Sequence, residues 1–169
     1  MSVAAVSPNQ AAHELTGRDY ISWSAISTFR QCPLRYYFKY VLGLPEETVA
    51  ASLVFGGDIH TAVEHHFREL LAGSRPTAQQ LFDVYLQAWQ ERELGLVRLK
   101  KGETIDDLHA LARRMLEAFL LTSFATPDGT IIGIEEELRG QVVPGCPDLL
   151  ARVDLIVDAG DTLVVMLMT

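Results

Sequence analysis

At Pro127-Asp128-Gly129 the spacing of apolar residues changes, and that change limits the possible folds more than any other feature of the chain. Before it, apolar positions recur every three to four residues. After it they alternate, in "TIIGIEEELRG", "DLLARVDLIV" and "TLVVMLM". A period near 3.6 marks helices and a period of two marks strands. The sequence therefore predicts helices followed by a three-stranded antiparallel meander, an α+β fold. At 169 residues the chain is long enough for one domain with a real core and short for two.

Local signals place the helices. Ser22 or Ser24 can cap "SAISTFRQ", in which Trp23, Ile26 and Phe29 share a face. Pro33 restarts a helix, "PLRYYFKYVLGL", that Gly43 ends. A third helix is expected after "FGGD", over residues 59–72, with Ile59, Val63, Phe67 and Leu70 as its buried stripe. Thr77 with Gln80 forms a capping box, and Thr104 with Asp106 and Asp107 opens a further helix. Residues 1–20 read as a flexible tail, with no basic region ahead of an apolar segment. Residues 21–169 form the domain, with a helical insertion over about 74–126.

Bulk properties exclude some classes. No apolar run approaches the ~20 residues of a membrane span. Cys32 and Cys146 stand far apart without a CxxC, which fits a reducing cytoplasm better than a disulfide scaffold. A net charge of −8 argues against a surface coated in positive charge, though not against a local basic patch or an acidic metal site.

Three stretches can carry chemistry. In "GGDIHTAVEHHFREL", His60 and Glu64 sit four apart at the edge of the apolar stripe, where they can bind a metal, shuttle a proton, or simply pair with each other; His66 reads as a packing residue. Asp154 stands mid-strand among Val153, Leu155, Ile156 and Val157, a costly position unless it is paired, holds a cation or faces water. Strand alternation puts it with Ile156, and one or two of Glu135, Glu136 and Glu137 on the preceding strand can face the same side. Such a set of oxygens plus an imidazole suits Mg²⁺ or Mn²⁺. In "FRQCPLRYYFKYV", Arg30, Arg35 and Lys39 interleave with Tyr36, Tyr37 and other aromatics. That composition suits nucleic acid, or else a core helix with a solvated face.

In order, "ISWSAISTFRQCPLRYYFKYVLGLP", "FGGDIHTAVEHHF", "IEEELRG" and "PDLLARVDLIVDAGDTLVV" resemble the RecB-type branch of the PD-(D/E)XK nucleases, which includes nuclease modules of recombination helicase-nucleases and CRISPR-adaptation nucleases. The resemblance implies a restriction-endonuclease-like core, metal-dependent hydrolysis of DNA, and a partner such as a helicase or another recombination or repair subunit. It places His60 at the helical metal ligand and Asp154 at the first strand carboxylate. Glu64 and Glu137 are weaker candidates beside them, and Arg30, Arg35, Lys39, Tyr36 and Tyr37 are candidates for DNA contact.

The same resemblance calls for a second carboxylate and, two residues later, a lysine on the next strand. There the chain reads "LVVMLMT", with Met166 and Met168 at those positions and on the face expected to carry Asp154. The family's cluster-forming members use a cysteine like Cys32 plus three near the C-terminus; the trio is missing, so no iron–sulfur cluster is expected. The final strand reads like the centre of a sheet whose next helix and strand are lost. The chain is thus expected to be a truncated or degenerate copy with weak or no catalysis. Two other readings stay open: a DNA-binding or assembly module that has kept the fold, and a helical interaction domain in which the histidine and aspartate are structural.

Overall fold

The computed structural model describes residues 6–46, 48–92 and 97–167. Two compact units divide the chain: residues 1–46 with 137–152, and residues 47–136 with 153–169. Each of the two longest strands supplies residues to both.

In the first unit, α1 (Pro8–Thr16) occupies the stretch expected to be a loose tail. Ser7 caps it by accepting from the Gln10 N–H, and Pro8 fills the first turn. Asn9 then ties this helix to Asp148, donating to its carboxylate at 2.9 Å and accepting from its backbone N–H at 2.8 Å. That long-range tie is what a tail lacks. β1 (Tyr20–Ser22) leads into α2 (Trp23–Gln31), whose cap is Ser22. After α3 (Pro33–Tyr36) a π-helical turn covers Tyr37–Val41. β4 (Thr130–Gly140) and β5 (Asp148–Asp158) enter this unit through residues 137–140 and 148–152. β1 pairs in parallel with the start of β5, Tyr20 opposite Asp148 and Ser22 opposite Leu150. The sheet is therefore mixed, not purely antiparallel. A three-residue strand is too short to show a period, so only the pairing reveals it.

The second unit is built on α4 (Ala51–Leu71), α5 (Ala78–Gln90) and α6 (Ile105–Leu120). α4 starts eight residues before the expected Ile59 and runs straight through Gly56-Gly57. Two glycines weaken a helix by only about 1 kcal/mol each, and the burial of Ala51 and Val54 against the core outweighs that. The expected capping box forms at Thr77–Gln80, and Thr104, which opens the further helix, forms a second one with Asp107. Val63, Phe67, Leu81, Tyr85, Ala112 and Leu116 share one core with Leu155 and Val157 of β5. Burial pushes the Tyr85 phenol up to about 12, with nearby Asp58 adding to the effect. β2 (Val49–Ala50) and β3 (Val97–Arg98) make a separate parallel pair. β6 (Leu163–Met166) lies antiparallel to the end of β5, and β5 hydrogen-bonds to β4.

Candidate metal centre

Three side chains from three elements converge in the second unit. α4 buries Val63 and Phe67, which leaves His60, one turn earlier, half-buried at the helix edge. On β5 the core takes Val153, Leu155 and Val157, so Asp154 faces the other side yet is only 9% exposed. The imidazole Nε2 of His60 lies 3.7 Å from Asp154 Oδ1 and 2.5 Å from Oε1 of Glu135 on β4. One ligand atom from each of His60, Glu135 and Asp154 falls within 4.8 Å of the others. Metal–ligand lengths of about 2.0–2.6 Å bring two ligands of one ion no more than about 5 Å apart. The set fits one divalent ion.

Glu135 reaches the site through a break in its strand. Its φ is 57°, the left-handed region that non-glycine residues seldom adopt. Ile131 and Ile134 both pack on the core, three apart where simple alternation allows two. The strand thus gains one residue of phase before Glu135, as a bulge does. Such strain costs on the order of 1–3 kcal/mol and persists where the surroundings demand it. At Gly133 a Cβ would come within 3.2 Å of the Ile156 side chain and 2.7 Å of the Glu136 Cγ, so β4 approaches β5 closely just before the break.

The remaining candidates lie elsewhere. Glu64 does not pair with His60; it turns to Arg68, one turn on, at 2.6 Å. Glu137 is exposed in the first unit and binds Arg152 at 2.9 Å. Met166 is directly opposite Leu155 and packs on the core, not on the face that carries Asp154. Val165, opposite Ile156, occupies that face instead. Antiparallel partners share a side of the sheet, so a register offset of one residue reverses the expectation from alignment. Met168 lies outside the described residues. His66 is buried as expected: its Nε2–H donates to the Ala125 carbonyl at 2.7 Å, and burial holds its pKa below the usual histidine value.

In the first unit Arg30, Arg35, Lys39 and Tyr37 are exposed and Tyr36 is half-buried. Arg35 and Lys39 are not bare cations. Both meet Glu46, at 3.3 and 3.0 Å, and Lys39 above all, then Arg35, holds that carboxyl below its ordinary range. Cys32 and Cys146 are both exposed free thiols.

A helix carrying a histidine over a mixed sheet that presents two carboxylates is the restriction-endonuclease-like arrangement, that of a metal-dependent nuclease. The sequence matches the family model of the PD-(D/E)XK nuclease superfamily over residues 20–166, and the chain belongs to that superfamily. No curated protein matches the sequence. Among the described residues no helix is long and apolar enough to cross a membrane.

Proposed function

We propose that this chain is a nuclease domain of the RecB-type branch. It would hydrolyse DNA phosphodiesters slowly in the cytoplasm, beside a helicase or another recombination or repair subunit. The observation that carries this reading is the convergence of His60, Glu135 and Asp154 within reach of a single ion. Glu135 and Asp154 offer the hard oxygen donors, and His60 offers a neutral nitrogen. Glu135, Asp154 and His60 would hold a divalent ion whose charge would polarise a phosphate oxygen and offset the negative charge developing on the phosphoryl oxygens. Glu135 supplies from β4 the carboxylate that the resemblance asks of β6. Among the described residues of β6 no lysine stands at the site, and Val165 is presented to the Asp154 side. Losing a charge-stabilising donor costs roughly 10²–10³ in rate.

The second reading, a DNA-binding or assembly module that has kept the fold, rests on that same apolar strand. Incubation of linear DNA with the protein and Mn²⁺ or Mg²⁺, with and without chelator, separates the two. Slow cleavage that His60→Ala abolishes supports the nuclease reading. Metal binding without any cleavage supports the module. Cleavage that survives both chelator and His60→Ala overturns the proposed site.

A further inference from the structure

The first unit holds a cavity of about 320 Å³, walled by Ala11, Tyr20, Tyr36, Tyr40 and Pro147 with Arg18 among them. We propose that it seats one unpaired nucleobase of single-stranded DNA, with the Arg18 guanidinium on the adjoining phosphate. The inference rests on the DNA reading above and names its substrate class.

The walls suit a flat aromatic ligand. Tyr36 and Tyr40 stack with ring centroids 5.1 Å apart and planes 29° from parallel. The Arg18 guanidinium stands 5.5 Å from the centre of the Tyr40 ring, and the Lys39 ammonium 6.0 Å from it. An aromatic wall with cations at its edge is how proteins hold a base by its face and its phosphate by charge. The size decides between single and double strand. A cavity near the low end of the roughly 300–1,000 Å³ range for small-molecule sites admits one small group. A duplex offers that group only by unpairing and unstacking a base, because its base faces are covered by stacked neighbours and only edges show in the grooves, whereas a single strand offers it without that cost.

Charge points the same way. The first unit carries six Lys/Arg against five Asp/Glu, a net +1, whereas the second carries eight against seventeen, a net −9. A polyanion is repelled by the second and not by the first. Trp23, Phe29, Tyr37 and Phe38, all in the first unit, are exposed and give further bases something to stack on.

The test titrates the full chain, in chelator so that nothing is cut, with a single-stranded oligonucleotide carrying 2-aminopurine and with the same strand in a duplex. The single strand should bind more tightly, and its fluorescence should be quenched as the base enters. Ala11→Trp fills the cavity from an exposed helix position, so the fold should survive, as circular dichroism and Mn²⁺ affinity would report. It should weaken single-strand binding about 5- to 100-fold, the loss of one stacked base, and remove the quenching. Arg18→Ala should weaken it less and reduce its salt dependence. Equal affinity for duplex and single strand overturns the inference, as does unchanged single-strand binding in Ala11→Trp. So does displacement of an apolar dye from the cavity by peptides but not by oligonucleotides, which would mark a protein-docking site. If duplex is cleaved with metal but single strand is not preferred, this inference alone falls. If neither form of DNA binds, the nuclease reading falls with it.

Discussion

His60 Nε2 and Glu135 Oε1 lie 2.5 Å apart, although 75 positions separate them in the chain and no helical or strand periodicity links them. The contact defines the candidate metal centre, since it selects Glu135 from three consecutive glutamates and directs His60 away from Glu64.

Metal affinity should depend on three residues and not on two others. His60→Ala, Glu135→Gln and Asp154→Asn should each weaken Mn²⁺ binding by more than the roughly 10–100-fold that loss of an outer-shell partner costs. Glu64→Gln and Glu137→Gln should leave it unchanged, because their carboxylates are taken by Arg68 and Arg152. Calorimetric titration of the five variants decides this. A large loss in Glu64→Gln with none in Glu135→Gln would reverse the assignment.

The register of β6 dictates where a restored carboxylate belongs. Val165→Asp should strengthen Mn²⁺ binding, because Val165 shares a face with Asp154 through Ile156. Met166→Asp should instead push a charge toward the core beside Leu155 and destabilise the fold by on the order of 2 kcal/mol. Urea midpoints and metal titrations of the two variants should move in opposite senses. Stronger metal binding in Met166→Asp would show that the strand sits one residue out of this register.

Phosphate contact in the first unit should show in salt dependence. Replacing Arg30, Arg35 and Lys39 together by alanine should flatten the plot of log affinity against log salt by about 0.7–0.9 per lost contact, for any sequence. Glu46→Gln should tighten binding, since it frees Arg35 and Lys39 from their present partner. An unchanged slope in the triple variant would show that these cations only solvate the surface.

His66 should make the protein acid-sensitive. Burial lowers its folded pKa below the ordinary 6.5, so in mildly acidic solution the unfolded chain binds the proton first. Stability on this account is full above pH 6.5 and falls as pH drops through 6.5 toward the lower folded value, by at most about 1.4 kcal/mol per pH unit. His66→Gln keeps a donor for the Ala125 carbonyl and removes the proton uptake. Its urea midpoint should therefore change less between pH 7.5 and 5.5 than the wild type's. An equal change in both would show that His66 titrates normally.

What the sequence determined by itself is what neighbouring residues can settle. The caps at Thr77 and Thr104 follow from side chains three residues apart, and the cap of α2 is narrowed to Ser22 or Ser24. The core face of β5 follows from alternation along a single strand, and so does the side on which Asp154 lies. Tertiary structure alone decided the rest, because each decision depends on pairing between distant segments. β1 is a strand only because β5 completes it. The early start of α4 depends on what Ala51 and Val54 pack against, which outweighs the local cost of two glycines. Glu135 rather than Glu136 faces His60 because β4 gains a residue of phase just before a left-handed φ, which no alternating pattern reveals. Val165 rather than Met166 faces the site because register is a property of two strands, and a slip of one residue exchanges the faces.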